Sequence, residues 1–551
     1  KVFSNGGEID IKTFNFLDKK ILLHIDGIIS RLSDQAKNLT MDIESIDCKI
    51  AYLYSIDFNI ESHVHGSFNM YIYDFINDKL KIIRDSRGTK AIFFANLEHK
   101  FIFSSNIESV LNDIEHLTLN KDKLIDFLNW DYRANTDTYF NEIKTIEPKH
   151  YLLFHKNKIL SKTYSFDASL FEDRNSKNAL EDFKNHLYRS IECVPKEEKT
   201  IGLMMSGGLD SSAIAIALKE NDFKNVKTYS ANFLHINNYH KIDETKYQKN
   251  ISDVTSFEHT SISMQNKSTM SPIKKFTKVF NKPILFPNIY IFEEIIKELK
   301  NDNVNIILDG NDGDNTVSHG YEVLYSYITS LRFFKFTKEV YLYSNFKNSN
   351  FFRLFIYFTK QALKILLNRT DRKIKNTILR EDINIITNPK NDINIFSSHK
   401  SKLSIDLHFL ANEDRDILFR HFNMENFSPF YDESLINFCI NMKKKNKFQN
   451  GYTRKILRDF LAEFLPKKHA NRDKSILTPG LLKNFSKSKE DIDIIKSELN
   501  KVNKQLHELM DVDKLERIVR NVESGKQLAE TDLINLQIFL SANTFLNRFN
   551  F

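Results

Sequence analysis

Apolar positions up to about Ser165 come in short runs: Ile21-Leu22-Leu23-His24-Ile25, Phe68 to Tyr73, Leu80 to Ile83, Ala91 to Phe94 and Phe101-Ile102-Phe103. Asp-Gly, Asn-Asp, Ser-Arg-Gly and Glu-His-Lys breaks separate them, a pattern that predicts strands. From about Asn175 the period changes. A helix is expected over Asn178 to Glu192, a buried strand over Ile201 to Met205 and an amphipathic helix over Ser211 to Glu220. Val226 to Ser230 and Asn305 to Leu308 repeat the strand pattern, and strands alternating with helices predict a parallel α/β sheet. From about Ile405 the periodicity is mostly helical. The expected fold class is α/β: a β-rich sandwich domain over residues 1–170, then a parallel-sheet domain with a helical C-terminal part over 175–551. No internal repeat interrupts this order.

Composition narrows the picture without redirecting it. The 41% hydrophobic and 27% charged content over 551 residues is that of a globular chain of two or three domains. A formal charge of +7 suits anionic substrates such as nucleotides and falls short of a nucleic-acid binder. Cys48, Cys193 and Cys439 form no CxxC pair, which fits a reducing cytoplasm and gives neither a disulfide framework nor a zinc site. No transmembrane segment is expected, since the nearest candidate, Phe351 to Leu367, contains Arg353, Lys360 and Lys364. Lys1 to Lys20 alternates charged and apolar residues and does not read as a signal peptide. Residues 321–400 are rich in aromatic and basic residues, including Leu331-Arg332-Phe333-Phe334-Lys335-Phe336, with a loop expected near Asn391-Asp392. Such a stretch suits a peptide, a membrane surface or a nucleic acid, or helices packed beside the α/β domain with solvated lysines.

The chemistry concentrates at Ser206-Gly207-Gly208-Leu209-Asp210-Ser211-Ser212, between a strand end and a helix start. Two glycines let the backbone approach a phosphate, and backbone N–H groups with the helix N-terminus present partial positive charge. Ser206, Ser211 and Ser212 add hydroxyl donors, and Asp210 is a hard oxygen ligand suited to Mg²⁺. The Gly-Lys-Ser/Thr ending of a Walker loop is absent.

This loop resembles that of the pyrophosphate-loop ATPases, specifically the asparagine synthetase superfamily, with its asparagine synthetases, β-lactam synthetases and lasso-peptide cyclases. The resemblance implies cleavage of ATP between the α- and β-phosphates, an acyl-adenylate, and an amine that displaces AMP. It places Leu203, Tyr229, Ser230 and Gly310 with the loop among the ATP-binding residues, Thr228-Tyr229-Ser230-Ala231-Asn232 being the second strand end beside the adenine. Asp243-Glu244 is the acidic pair before the next helix. Leu308-Asp309-Gly310-Asn311-Asp312-Gly313-Asp314-Asn315 resembles the family's Ser-Gly-x-Gly-x-Asp-Glu loop, which makes Asp314 the second Mg²⁺ carboxylate. Glu425-Asn426-Phe427-Ser428-Pro429-Phe430-Tyr431-Asp432 resembles Glu-x-Arg-x-Pro-Phe-x-Asp with Phe427 at the Arg. Asn450-Gly451-Tyr452-Thr453-Arg454-Lys455-Ile456-Leu457-Arg458 resembles Gly-x-x-Lys-x-x-Leu-Arg. Arg454 falls on that lysine, with Lys455 beside it, as catalytic cations with Asp210 and Asp314.

Val64-His65-Gly66-Ser67-Phe68, Arg84-Asp85-Ser86-Arg87-Gly88 and Phe103-Ser104-Ser105-Asn106-Ile107 resemble a class II glutamine amidotransferase domain of the Ntn-hydrolase type. Two departures argue against glutamine hydrolysis. Asp26-Gly27 stands at the oxyanion-hole Asn-Gly, where a carboxylate repels an oxyanion, and His65 stands at the glutamine-binding Asp. The domain reads as a degenerate scaffold. Asn311 replaces the catalytic Glu of asparagine synthetases and cannot act as a base at neutral pH. The leading expectation is therefore a lasso-peptide cyclase closing a macrolactam on a precursor peptide supplied by a leader protease. An asparagine synthetase and a catalytically silent nucleotide-binding scaffold are the alternatives.

Overall fold

The computed structural model describes residues 11–16, 19–131, 135–166, 178–196, 199–234, 244–284, 286–367, 378–380, 383, 399, 403, 406–473, 482, 485 and 488–551. The expected junction between 170 and 175, Asp243 and the Asn391-Asp392 loop lie outside the described residues.

The first nine strands are β1 (Lys12–Phe16), β2 (Lys19–Leu32), β3 (Val64–Asp74), β4 (Lys79–Arg84), β5 (Phe93–Asn96), β6 (Phe101–Ser104), β7 (Lys144–Thr145), β8 (His150–His155) and β9 (Lys158–Thr163). They form an antiparallel sheet in the order β1-β2-β3-β4-β8-β9 and a smaller sheet β6-β5-β7. Central β3 is buried along almost its whole length, whereas edge strand β9 is exposed throughout and carries Lys158 and Lys162, charges that block further strand addition. Four of the five expected strand runs fall inside these elements, and the fifth, Ala91 to Phe94, overlaps β5 only at Phe93 and Phe94. The helix Ile46–Ser55 in the same domain was not anticipated, because Cys48, Lys49 and Tyr52 interrupt its apolar face.

The second domain is built on β10 (Ile201–Met204), β11 (Val226–Asn232), β12 (Glu258–Ser263), β13 (Ile306–Asp309) and β14 (Glu425–Phe427). All pair in parallel, in the order β12-β11-β10-β13-β14. Strand order reverses between β10 and β13, with Met204 beside Asp309. In an open parallel sheet the ligand crevice lies beyond the carboxyl ends of the strands at such a reversal. The helix Leu209–Glu220, wholly apolar on its inner side through Ala213 to Leu218, backs β10.

A third group of helices, Tyr321–Thr329, Phe333–Phe346 and Phe351–Leu366, encloses its own core of Phe336, Val340, Tyr343, Phe358 and Ala362. That core also takes in Phe448 of the hairpin β15 (Phe448–Gln449) and β16 (Tyr452–Thr453). Gly451, at φ +76°, lies so close to the second of these helices that a Cβ would stand 2.5 Å from the Leu342 carbonyl carbon. Long helices, ending with Glu530–Phe549, complete the C-terminal part. Their apolar faces merge with Phe93, Leu124, Phe127 and Phe140 into one core, so the two domains share an interior. Among the described residues no helix is long and apolar enough to cross a membrane.

Candidate active site

The expected loop sits at the carboxyl end of β10. Met205 continues the strand by donating its N–H to the Tyr229 carbonyl at 2.8 Å, and the chain turns at Gly207, φ +84°. A Cβ there would meet Gln248 N and Tyr247 Cβ at 3.1 Å on top of the left-handed strain, which explains the glycine. Ser206 Oγ accepts from Gly208 N at 3.1 Å, and Ser212 Oγ donates to the Gly208 carbonyl at 2.5 Å. Arg472 clamps the loop from outside: its guanidinium donates to the Gly207 carbonyl and to Glu244 and lies over the Tyr247 ring at 4.1 Å. His469 Nε2 stands 3.2 Å from Ser212 Oγ; burial, reinforced by Arg472, pushes its imidazole down to about 4, so it is neutral at pH 7.

The second loop leaves β13 alongside. A Cβ on Gly310 would stand 2.8 Å from Ser211 N, and one on Gly313 would stand 2.8 Å from Cβ, Cγ and Oδ1 of Asp210. The two loops thus touch at the Asp210 carboxylate, with no room for any side chain between them. Asp309 is spent on structure, accepting from Asn311 N (2.9 Å), Ser428 Oγ (2.7 Å), Asn426 Nδ2 (2.8 Å) and Arg415. Asp312 occupies the left-handed position, φ +61°, where the family pattern has its second glycine. Arg87 of the first domain (3.1 Å), His408 (3.2 Å) and Asn315 (2.5 Å) hold it there. Burial raises the Asp312 carboxyl against the pull of His408 and Arg87. Asp314 follows, with His319 Nε2 at 3.6 Å.

The third part arrives from β16. Arg454, in the left-handed region at φ +50°, begins the helix Lys455–Phe464. Its Nη1 donates to both Asp210 oxygens, at 3.0 and 2.8 Å, and its Nε is a buried donor with no hydrogen-bond partner. The structure therefore gathers Ser206, Gly207, Gly208, Asp210, Ser211, Ser212, Gly310 and Arg454 at one place.

Four expected site residues have side chains placed away from the loop. Lys455 turns away and pairs with Asp459 one helical turn on, because only the residue before the helix start faces the loop. Leu203 is wholly buried in the core behind β10. Tyr229 is buried with its hydroxyl on Asp302 at 2.6 Å, and Ser230 is buried beside His259 Nε2 at 3.1 Å. The side chains of these three residues are therefore not arranged to line a nucleotide. Arg87, His469 and Arg472 were missed, and no local period marks them. Each acts across more than two hundred residues of sequence.

At the domain boundary the helix Asp406–His421 supplies several of the polar contacts. Asp26 accepts from both terminal nitrogens of Arg420 at 3.1 Å. Lys90 stands 3.4 Å from both Asp416 and Glu425, and Arg84 stands 3.2 Å from Glu413. His65 accepts the Glu433 N–H at 3.1 Å and stands 3.6 Å from Asp432. A cavity of about 20 Å³ lies between, lined by His65, Ser67, Thr89, Asn412, Tyr431 and Asp432 among others.

Comparison with known proteins agrees with both halves. A glutamine amidotransferase domain model matches residues 51–165, and an asparagine synthase model matches residues 182–547. Two relatives are the asparagine synthetases (glutamine-hydrolyzing) 1 and 2 of Bacillus subtilis strain 168. The first is 24% identical over 48% of this chain and 40% of its own length; the second is 27% identical over 36% and 29%. A third, the amidase chyE of Penicillium rubens, is 21% identical over 33% of this chain and 28% of its own. The chain spans less than half the length of each of these relatives. With the synthase model covering most of its residues and the two loops meeting at Asp210, the chain belongs to the asparagine synthase family.

Proposed function

We propose that this protein is an ATP-dependent ligase that adenylates a carboxylate, releases pyrophosphate and lets an amine displace AMP. The observation that carries the reading is the contact of the two loops at Asp210, where even a methyl group on Gly313 would strike the carboxylate. The backbone N–H groups of Ser206 to Gly208 and the N-terminus of Leu209–Glu220 then cradle the departing pyrophosphate. Arg454 carries a fixed positive charge to that region, where it can meet charge developing on the polyphosphate. Asp210 and Asp314 fit as the carboxylates that hold Mg²⁺, because hard oxygen donors on two adjoining loops suit that ion. Bound there, Mg²⁺ would offset charge on the polyphosphate. In the absence of substrate, Arg454 supplies that compensation to Asp210.

The nitrogen source in this reading is an amine of the substrate, not glutamine hydrolysed by the first domain. Asp26 is neutralised by Arg420, His65 is engaged by the Glu433 N–H, and the cavity beside them has room for about one water. Asn311 donates to the Tyr431 hydroxyl at 2.5 Å, and Tyr431 in turn donates to Asn412, so no carboxylate base stands at that position. These features favour macrolactam closure of a lasso-type precursor peptide. The names of the Bacillus subtilis relatives favour the second reading, amidation of aspartate or a similar acid. Incubation with ATP, Mg²⁺ and either a neighbouring precursor peptide or aspartate plus ammonia separates the two. Dehydrated peptide supports the first, asparagine the second, and pyrophosphate with neither substrate sinks both.

A further inference from the structure

The helical hairpin Phe333–Phe346 and Phe351–Leu366 turns one edge into its own core and the other to solvent. Ten of the nineteen exposed large apolar side chains among the described residues lie between 331 and 367. Phe334 is 96% exposed, Leu331 76% and Phe352 70%. On the second helix Phe352, Ile356, Lys360, Leu363 and Leu367 follow at spacings of four and three, which places them on one face. The same 37 residues hold seven basic side chains and one acidic one, a net +6 against +7 for the whole chain. The one acid, Glu339, is turned inward to accept the Gly451 N–H at 2.8 Å. Among the described residues Arg332, Lys335, Lys338, Arg353 and Lys360 make no ion pair.

We infer that this hairpin docks on an anionic lipid bilayer. The apolar side chains protrude from convex helices, so they suit insertion into a fluid interface; a peptide site would require a concave groove. Lysines interleaved with them are disfavoured in a protein interface, where their charge is buried unpaired, but at a bilayer their stems lie among acyl chains while the ammonium groups reach headgroup phosphates. Five of the ten side chains, Leu331, Ile356, Leu363, Leu366 and Leu367, are aliphatic and add insertion area that stacking on bases would not use. The hairpin packs through Gly451 and Phe448 against the strand pair that leads into Arg454, so the docked face lies on the element that supports the nucleotide site.

Co-sedimentation of the full chain with vesicles tests this. One set is phosphatidylcholine alone; the other contains a third phosphatidylglycerol. Binding to the anionic set is expected to be roughly tenfold tighter or more and to weaken with salt. Phe334→Ser with Phe352→Ser, both exposed positions, is expected to abolish sedimentation while thermal unfolding stays unchanged. Equal binding to both vesicle sets, or none to the anionic set by the wild-type chain, overturns the inference. So does a concentration-dependent dimer lost in the same double variant, or tighter binding to single-stranded nucleic acid than to anionic vesicles.

Discussion

Arg87 reaches across the domain boundary to hold the second loop, and its removal asks whether the first domain shapes the nucleotide site. The Asp312 side chain is 1% exposed and meets Arg87 at 3.1 Å. Breaking a buried pair by removing one partner costs about 3–5 kcal/mol. His408 and Asn315 remain on Asp312, so Arg87→Ala is expected at the low end, about 3 kcal/mol. Asp312→Gly instead removes the charge and relieves about 1 kcal/mol of left-handed strain at φ +61°. In that background Arg87 is a buried cation without its carboxylate, so relief of that charge offsets most of the loss of the Leu403 carbonyl bond and the Phe409 and Tyr431 ring contacts, leaving about 1 kcal/mol. The coupling is therefore about 2 kcal/mol, or about thirtyfold in the loop's opening equilibrium. Amide hydrogen exchange at Asn315, Thr316 and Val317, bonded to the Asp312 and Gly313 carbonyls, reads that opening directly. Exchange about a hundredfold faster in Arg87→Ala, and only about fivefold faster when Asp312→Gly is already present, is the expected result. Unchanged exchange, or the same acceleration in both backgrounds, refutes the coupling.

Three further outcomes follow from the site. Gly313→Ala forces a methyl into the Asp210 carboxylate and is expected to cost about 1–3 kcal/mol locally and to lower pyrophosphate release at least tenfold; activity within twofold of wild type would deny that the loops meet there. Arg454→Ala is expected to reduce pyrophosphate release by roughly a hundredfold, whereas Arg454→Lys, one nitrogen of which can span both Asp210 oxygens as Nη1 does, should stay within about tenfold of wild type. His469 is neutral in the fold down to about pH 4, but protonates near 6.5 when unfolded. The unfolded chain therefore takes up the proton first, and stability is lost as pH falls from about 6.5 toward 4, on the order of 3 kcal/mol in total. Urea midpoints for His469→Gln should show a shallower decline over that window, and parallel curves would reject the assignment.

The strand–loop–helix at Ser206 was legible because every part of it is local: a four-residue apolar strand, two glycines and a helix start. The same holds for the Asp309–Asp314 turn. Arg454 and Lys455 were not separable from sequence, since which cation meets Asp210 depends on the single left-handed residue before the helix. For Tyr229 and Ser230 the strand position sets the main chain beside the site without fixing where the side chain points. Arg87 and Arg420 belong to the boundary between domains and Arg472 clamps the first loop within the second domain; no periodicity encodes contacts between residues more than two hundred positions apart. The exposed face of the 333–366 hairpin was visible as aromatic-basic composition, but only the packing of Phe336, Tyr343 and Phe358 inward shows which side chains remain outside.

The central claim is that ATP is split between its α- and β-phosphates where the two loops meet. Chromatography of the nucleotide products, with Mg²⁺ and a panel of peptide and amino-acid carboxylates, tests it most directly. AMP and pyrophosphate are expected in equal amounts, dependent on one of those carboxylates and lost in Asp210→Asn. ADP with phosphate, or AMP formation that survives Asp210→Asn, would contradict it.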